Sequence, residues 1–344
     1  MSEPIKILDI TLRDGMHPLK HQLPAEEMAH VASKIDTAGV DVIEFGHGNG
    51  LAGSSFQYGF AASSDREYLE AVSKAVSNTK LGIIIIPGIG TRQELTMALE
   101  NGVSVARFAT QITECDIAEQ HIRMATDMGF EPRAVLPCAS ALSIGDTVKF
   151  AKMSESYGAK VVYLLDGGGY LLPEMVYERV EAMKKALNVE IGFHGHNNLQ
   201  LAVANSLAAV EAGATNVDCC MKGLGAGAGN CPTEIFAAVC ERKGYETGIN
   251  LYNAMDVAEQ AVKPIMPKPI EFDNDSLMLG YAGVYSSFLL FAKRAGEQYG
   301  VDPRDVIKEM GKRQCTEGQE NLCIECAFDL AQKENGTKAS HLRG

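Results

Sequence analysis

Short apolar runs alternate with amphipathic stretches through the first two thirds of the chain. Eight runs rich in Val, Ile, Leu and Ala read as strands, at 5–11, 40–46, 81–87, 105–110, 132–137, 160–166, 190–196 and 216–224. Between them, apolar side chains recur at helical spacing over 24–38, 65–76, 92–101, 113–128, 144–157, 173–187 and 199–212. Gly39, Gly102, Gly129, Gly158 and Gly213 stand where a helix must close before the next strand, as left-handed caps do. Eight such units predict an α/β protein, a (β/α)8 TIM barrel over residues 1–248, with its chemistry at the C-terminal ends of the strands. A doubly wound open sheet shares the alternation. Its dinucleotide loop would have to be the glycine run 223–229, which follows the last strand rather than the first of a βαβ unit. Beyond Gly248 the strand pattern stops, and 251–265, 276–299, 303–312 and 320–333 predict a helical C-terminal domain over 249–344.

Composition narrows the partners. With 344 residues, 46% hydrophobic and 22% charged, the chain can bury a large core. A formal net charge of −13 argues against nucleic acid or an anionic membrane, so an anionic substrate must be held by local positive charge. The start, MSEPIKILDITLRDG, lacks the basic and apolar blocks of a signal peptide, and no run reaches the ~18 apolar residues of a membrane span, so a cytoplasmic location is expected. Nine cysteines, an odd number in apolar contexts, suit reduced core thiols; Cys323 and Cys326 have zinc-ligand spacing but lack a second pair and read as packing.

The candidate chemistry lies at two strand ends. In a strand, residues two apart share a face, so His194 and His196 can present two imidazoles to one ion, and Asp14 at the end of the first strand can add a carboxylate. Mixed nitrogen and oxygen ligation with open positions suits Mn²⁺ or Mg²⁺ rather than a structural zinc. Two core or surface histidines are the plainer reading of the pair. Arg13 is placed to stabilise an enolate or carboxylate, or else to form a salt bridge with Glu44. His17, three residues on, titrates near neutrality and suits a general base, while His21 and His121 read as structural. The loop Gly46-His47-Gly48 either closes over the site or merely turns, and Ile84 and Ile86 share one face as an apolar wall or as core filling. The run 223–229 is either an anion-binding turn, with Asn230 capping the next helix and Pro232 in its first turn, or a closely packed one.

Taken together, Thr11-Leu12-Arg13-Asp14-Gly15 with His17, Gly46-His47-Gly48, Pro87-Gly88-Ile89-Gly90, His194-Gly195-His196-Asn197, the glycine run to Asn230, and the stretch 280–288 around Tyr285 resemble the 4-hydroxy-2-oxovalerate aldolases. These are class II pyruvate aldolases of the DRE-TIM metallolyase, or HMG-CoA lyase-like, superfamily. The resemblance runs in order along nearly the whole chain. It implies retro-aldol cleavage of a 4-hydroxy-2-oxoacid to pyruvate and an aldehyde, within aromatic hydrocarbon catabolism. It further implies Asp14, His194 and His196 as ligands of Mn²⁺ (Mg²⁺ or Co²⁺ in its place), Arg13 on the enolate, and His17 as the base at the C4 hydroxyl. Tyr285 would position the substrate, and Ile84 and Ile86 would contact its aldehyde end. An acylating aldehyde dehydrogenase docked on the helical domain and fed through a tunnel is the implied partner, and self-assembly of the chain is compatible with this. One departure stands out: where the family usually has a serine after Asp166 to hold the pyruvate carboxylate, this chain has Gly167, whose turn could offer backbone amides instead. Cys231 before Pro232 is a milder variation that suits packing.

Two other readings share these residues. A Claisen-type acyl-CoA condensing enzyme of the same superfamily would keep the metal triad, but His17 and the Tyr285 segment favour the aldolase. A catalytically silent docking partner would draw support from Gly167 alone, against intact Arg13, Asp14, His17, His194 and His196.

Overall fold

Parallel strands must be joined by crossovers, and here each crossover carries a helix. The computed structural model describes residues 3–137, 142–286, 288–315 and 318–341; Cys138 and Ser287 of the 280–288 stretch lie outside them. The strands are β1 (Lys6–Leu12), β2 (Val42–Phe45), β3 (Lys80–Ile85), β4 (Val105–Ala109), β5 (Glu131–Pro137), β6 (Val161–Asp166), β7 (Glu190–Gly195) and β8 (Asn216–Cys219). Each pairs in parallel with the next, and β8 returns to β1 with Lys6 opposite Asn216 and Asp9 opposite Cys219, which closes the barrel. Around it run α1 (Ala25–Ile35), α2 (Asp65–Ala75), α3 (Arg92–Glu100), α4 (Glu119–Met128), α5 (Ile144–Tyr157), α6 (Pro173–Ala186), α7 (Ala202–Glu211) and α8 (Thr233–Lys243). This is the expected TIM barrel.

Local sequence accounts for the helix ends. Ser64 with Glu67 and Thr91 with Glu94 form capping boxes that start α2 and α3. The five glycines expected to close helices all have positive φ, between 77° at Gly102 and 112° at Gly158. Strand alternation then sorts the side chains. Leu8, Ile10, Val42, Val105 and Cys220 pack inside the barrel, while Ile7, Ile43, Ile83, Ala106 and Val162 face the helices in the larger core.

Asp9 faces outward and is buried against the start of α8, accepting from the Thr11 amide at 3.0 Å and the Thr233 hydroxyl at 3.2 Å. Burial pushes its pKa up to about 7 from the ordinary 3.8. Between those values the folded chain holds a proton that the unfolded chain has released, so this residue's contribution falls as pH rises through the window. Asp9→Asn therefore gains stability relative to the parent from pH 5 to pH 8, by roughly 2–3 kcal/mol, read from urea unfolding at the two pH values. An unchanged gap between the two proteins would exclude the buried, protonated carboxyl.

After the barrel, the chain departs from simple periodicity. The stretch 251–265 is α9 (Leu251–Val257), one π turn (Ala258–Val262) and a 3-10 turn (Lys263–Ile265), not one helix. Ala254, Val257, Ala261 and Val262 pack into the barrel's own core. The expected helix 276–299 is two, α10 (Asn274–Ala282) and α11 (Phe288–Tyr299), because Gly283 takes φ +68° and its N–H closes back on the Leu279 carbonyl at 2.9 Å. Apolar side chains recur on both sides of this break, so periodicity runs straight through it. With α12 (Pro303–Lys312) and α13 (Leu322–His341), these helices enclose a second core of Leu279, Val284, Phe288, Met310, Cys323 and Cys326. The described cysteines are all free and buried, so Cys323 and Cys326 pack, as expected. Among the described residues no helix is long and apolar enough to cross a membrane.

Two further boundaries move. The eighth strand stops at Cys219 instead of 224, since Met221–Gly223 forms a 3-10 turn held by the Met221 amide on the Thr11 hydroxyl at 2.7 Å. The stretch 113–128 begins as 3-10 helix (Ile112–Ala118) before α4.

Candidate active site

β1 delivers Arg13 and Asp14 to the barrel mouth. The chain leaves the strand in a 3-10 turn, Asp14–Met16, whose His17 amide bonds the Asp14 carbonyl at 3.1 Å and so places both side chains on one turn. Asp14 is buried, and both its oxygens are occupied: Oδ1 accepts from Arg13 at 2.8 Å, and Oδ2 from the Asn230 amide at 2.6 Å and the Ala226 N–H at 3.1 Å. Burial is the largest single influence and works against the charge, but Arg13 together with His196, His17 and His194 outweighs it and holds the carboxyl well below the usual carboxylate range. The glycine run therefore both packs closely and turns an amide towards an anion, which here is Asp14 itself. A side chain at Gly225 would overlap the Asn230 amide and come within 2.7 Å of Asp14 Oδ2, so only glycine lets the loop approach.

Asn230 is not the expected helix cap. Pro232 takes that position before α8, and Asn230 instead turns inward to Asp14. The next residue, Cys231, is buried in the core, as its packing reading requires.

β7 presents His194 and His196 on one face, with ring centroids 4.9 Å apart. His194 Nδ1 bonds Asp218 Oδ2 at 3.0 Å, which fixes the tautomer with the proton on Nδ1 and the lone pair on Nε2. Among the described residues that Nε2 is buried with no hydrogen-bond partner, and so is Asn230 Oδ1. Burial lowers the His196 pKa to about 4, leaving a neutral imidazole able to ligate. Among the described residues no three His, Cys, Asp or Glu side chains already form a ligand cluster. The fit to a cation rests instead on the two orphaned atoms beside Asp14, one nitrogen and one amide oxygen, together with a cradle that a Cβ at Gly225 would fill. Nitrogen and oxygen donors of this kind suit a divalent ion with open positions.

Arg13 serves two partners at once, since its Nε donates to Glu44 at 2.7 Å while its NH1 donates to Asp14 at 2.8 Å, so the expected salt bridge to Glu44 is formed. His17 lies edge-on to His21, with centroids 5.3 Å apart, and His21 stacks on His47 at 3.7 Å. His47 accepts the Asn49 N–H at Nδ1 and bonds the Gly59 carbonyl through Nε2 at 3.2 Å, so the 46–48 loop is pinned by its own histidine. His21 accepts the Gly48 amide at 3.3 Å, and His121 bonds the Gly90 carbonyl at 3.2 Å, so each is tied to a backbone group. Burial lowers the His17 pKa, leaving a neutral ring at neutral pH.

One cavity of about 390 Å³ joins these groups, and Arg13, Asp14, His17, His194 and His196 all line it together with Ile84, Ile86, Gly167 and Tyr285. Tyr285 enters from the segment between α10 and α11, and its hydroxyl donates to Gln111 Oε1 at 3.4 Å. Its ring lies against Gly167, where an added Cβ would overlap it. Asp166, its carboxyl pushed up to about 6 by burial, anchors the glycine turn through the Tyr170 and Leu171 amides at 3.1 and 3.0 Å. Asn230, Asp218, Arg107 and Gln111 were not anticipated as site residues. For Arg107 and Asp218 a signal existed, a charged residue at an inward position of an otherwise apolar strand.

A parallel barrel with an arginine, a carboxylate and imidazoles gathered around one cavity at its C-terminal mouth has the architecture of a metal-dependent TIM-barrel enzyme. The HMGL-like family model matches residues 4–261, and the DmpG-like communication domain matches residues 270–332. The chain is 66% identical to the 4-hydroxy-2-oxovalerate aldolase of Desulfitobacterium hafniense, over 96% of this chain and 99% of that one. It is 50% identical to that of Pseudomonas putida, over 96% of each. The chain belongs to the 4-hydroxy-2-oxovalerate aldolases of the HMGL-like family, which work with a divalent metal ion. Among solved structures, the carboxyl transferase domain of Rhizobium etli pyruvate carboxylase shares the fold, with a TM-score of 0.79 and 16% identity over 96% of this chain and 60% of that one.

Proposed function

We propose that the protein cleaves 4-hydroxy-2-oxopentanoate, or a close homologue, to pyruvate and an aldehyde, using Arg13, His17 and Tyr285 around a divalent ion held by Asp14, His194 and His196. The observation that carries this reading is the convergence of all six side chains on one cavity. A bound ion there supplies Lewis-acid polarisation of the substrate's carboxylate and 2-oxo oxygens, and Mn²⁺ is the preferred occupant over Mg²⁺ or Co²⁺. Neutral His17 takes the C4 hydroxyl proton, the C3–C4 bond breaks to release the aldehyde, and the electron pair moves to the 2-oxo oxygen, where the Arg13 guanidinium meets the developing charge. Protonation of the enolate at C3 then gives pyruvate, and loss of the proton from His17 to solvent restores the base. Arg13 is held in place for this by Glu44. Tyr285 and the apolar face of Ile84 and Ile86 orient the chain of the substrate. No lysine is needed to form a Schiff base.

A coupled assay of pyruvate release from 4-hydroxy-2-oxopentanoate with Mn²⁺ tests the reading: turnover is expected, and the absence of pyruvate would sink it. The relatives do not favour the acyl-CoA condensing alternative.

The Tyr285 ring fills the space that a side chain at position 167 would take, so the departure at Gly167 and the seat of Tyr285 belong together. Gly167→Ser must push the ring aside, and a displacement of about 1 Å costs on the order of 10²-fold in kcat/KM. The same substitution made in a Tyr285→Ala background is expected to cost little further. Equal losses in both backgrounds, measured by steady-state kinetics, would show that the two positions are independent.

The helical domain supports docking of an acylating aldehyde dehydrogenase. It carries the communication-domain match and exposes Leu277, Tyr281, Leu290 and Phe291, and the last two also line the cavity. An aldehyde leaving past them would reach that face directly. The barrel carries the metal ligands and the base, while the helical domain adds Tyr285 to the cavity and makes the partner contact, in a cytoplasmic setting.

A further inference from the structure

Arg107 stands on β4 inside the barrel and is completely buried. Its NH1 donates to Glu44 on β2 at 3.1 Å, its NH2 to Asp218 on β8 at 2.6 Å, and its guanidinium lies 4.4 Å from the centre of the Tyr163 ring on β6. Nε has no hydrogen-bond partner among the described residues, so two carboxylates and one ring set the orientation of the group. Each carboxylate has a second client at the mouth. Glu44 holds Arg13 at 2.7 Å, and Asp218 holds His194 Nδ1 at 3.0 Å. One guanidinium thus ties together the two arms of the site, the Arg13–Asp14 arm on β1 and the histidine arm on β7, through the interior of the barrel.

We propose that Arg107 is a positioning residue for both arms, holding Asp218 so that His194 keeps its Nε2 aimed into the cavity and holding Glu44 so that Arg13 keeps its reach. This rests on the assignment of His194 as a metal ligand and Arg13 as the enolate-stabilising group. The fork geometry is what matters. A planar guanidinium bonds two carboxylates at once in fixed directions, whereas the ammonium of a lysine is a point charge on a flexible stem. Without Arg107, two buried carboxylates would lose their shared counter-charge, and Asp218 would be free to turn away from His194. Gly192 on β7 keeps the arrangement compact, since a side chain there would overlap the Tyr163 ring beneath Arg107.

The test compares Arg107→Lys with the parent and with His194→Ala. Mn²⁺ affinity is read from the electron paramagnetic resonance signal of the free ion, kcat is read at saturating Mn²⁺, and the thermal midpoint is read without metal. A folded Arg107→Lys protein is expected to bind Mn²⁺ about 10- to 100-fold more weakly, as when an outer-shell partner of a ligating histidine is lost, and to show lowered kcat even when saturated with metal. Parent-like Mn²⁺ affinity and kcat would overturn the proposal. If His194→Ala itself binds Mn²⁺ like the parent, the ligand assignment has failed instead, and the two failures are told apart. Should Arg107→Lys not fold, Glu44→Gln and Asp218→Asn are measured singly and together. Their joint effect on Mn²⁺ affinity is expected to depart from the product of the single effects by at least about 2-fold, the smallest coupling typical of groups sharing a network. A plain product would overturn the link through Arg107.

Discussion

His17→Ala is expected to lower kcat ~10²- to 10⁴-fold while leaving Mn²⁺ affinity close to that of the parent, the signature of a removed general base. The neighbours of His17 support this split. It shares a turn with Asp14, but its ring packs edge-on to His21 rather than against the carboxylate that receives Arg13 and Asn230. Burial lowers its pKa, so the base-competent neutral form persists at pH values below the ordinary imidazole range. A bound cation nearby pushes in the same direction. The acidic limb of the kcat profile should accordingly lie below pH 6.5, the ordinary imidazole value, and should vanish in the alanine variant. Pyruvate release followed across pH, beside a Mn²⁺ titration of both proteins, checks this; a loss of metal binding in step with kcat would move His17 into the ligand set.

Asp14→Asn is expected to do the opposite, weakening Mn²⁺ binding by at least about 10²-fold, since even outer-shell losses reach that range. The change is electrostatic more than steric. Three donors, from Arg13, Asn230 and Ala226, converge on this one carboxylate, and an amide in its place offers a poorer acceptor and a hydrogen atom to one of them. Arg13 would be left with Glu44 as its remaining ion-pair partner. Titration of free Mn²⁺ against the variant is the measurement, and parent-like affinity would remove Asp14 from the ligand set.

The barrel was legible because its evidence is local and repeated: strand alternation, helical spacing and a glycine where each helix must end. The pairing of His194 with His196 was legible for the same reason, as a period of two. What escaped was of another kind. Asn230 looked like a cap because its place in the sequence suits one, and only the tertiary approach of the 223–229 loop to β1 turns it towards Asp14. Arg107, Glu44 and Asp218 lie on separate strands, 63 and 111 residues apart at their two ion pairs, and nothing in a linear pattern brings them to one guanidinium. The break between α10 and α11 was hidden because a left-handed glycine interrupts a helix without interrupting its hydrophobic repeat.

That break has an evolutionary price. Gly283 ends one helix so that the following few residues can lean into the barrel, and Tyr285 is thereby a wall of the cavity contributed by the region that matches a communication domain. The two parts of the chain are therefore not interchangeable modules. A helical region transplanted from a relative would bring its own ceiling to the cavity along with its own docking face. Selection for a new associate and selection for a new substrate would then act on overlapping residues, and a shift in one trait would drag the other with it.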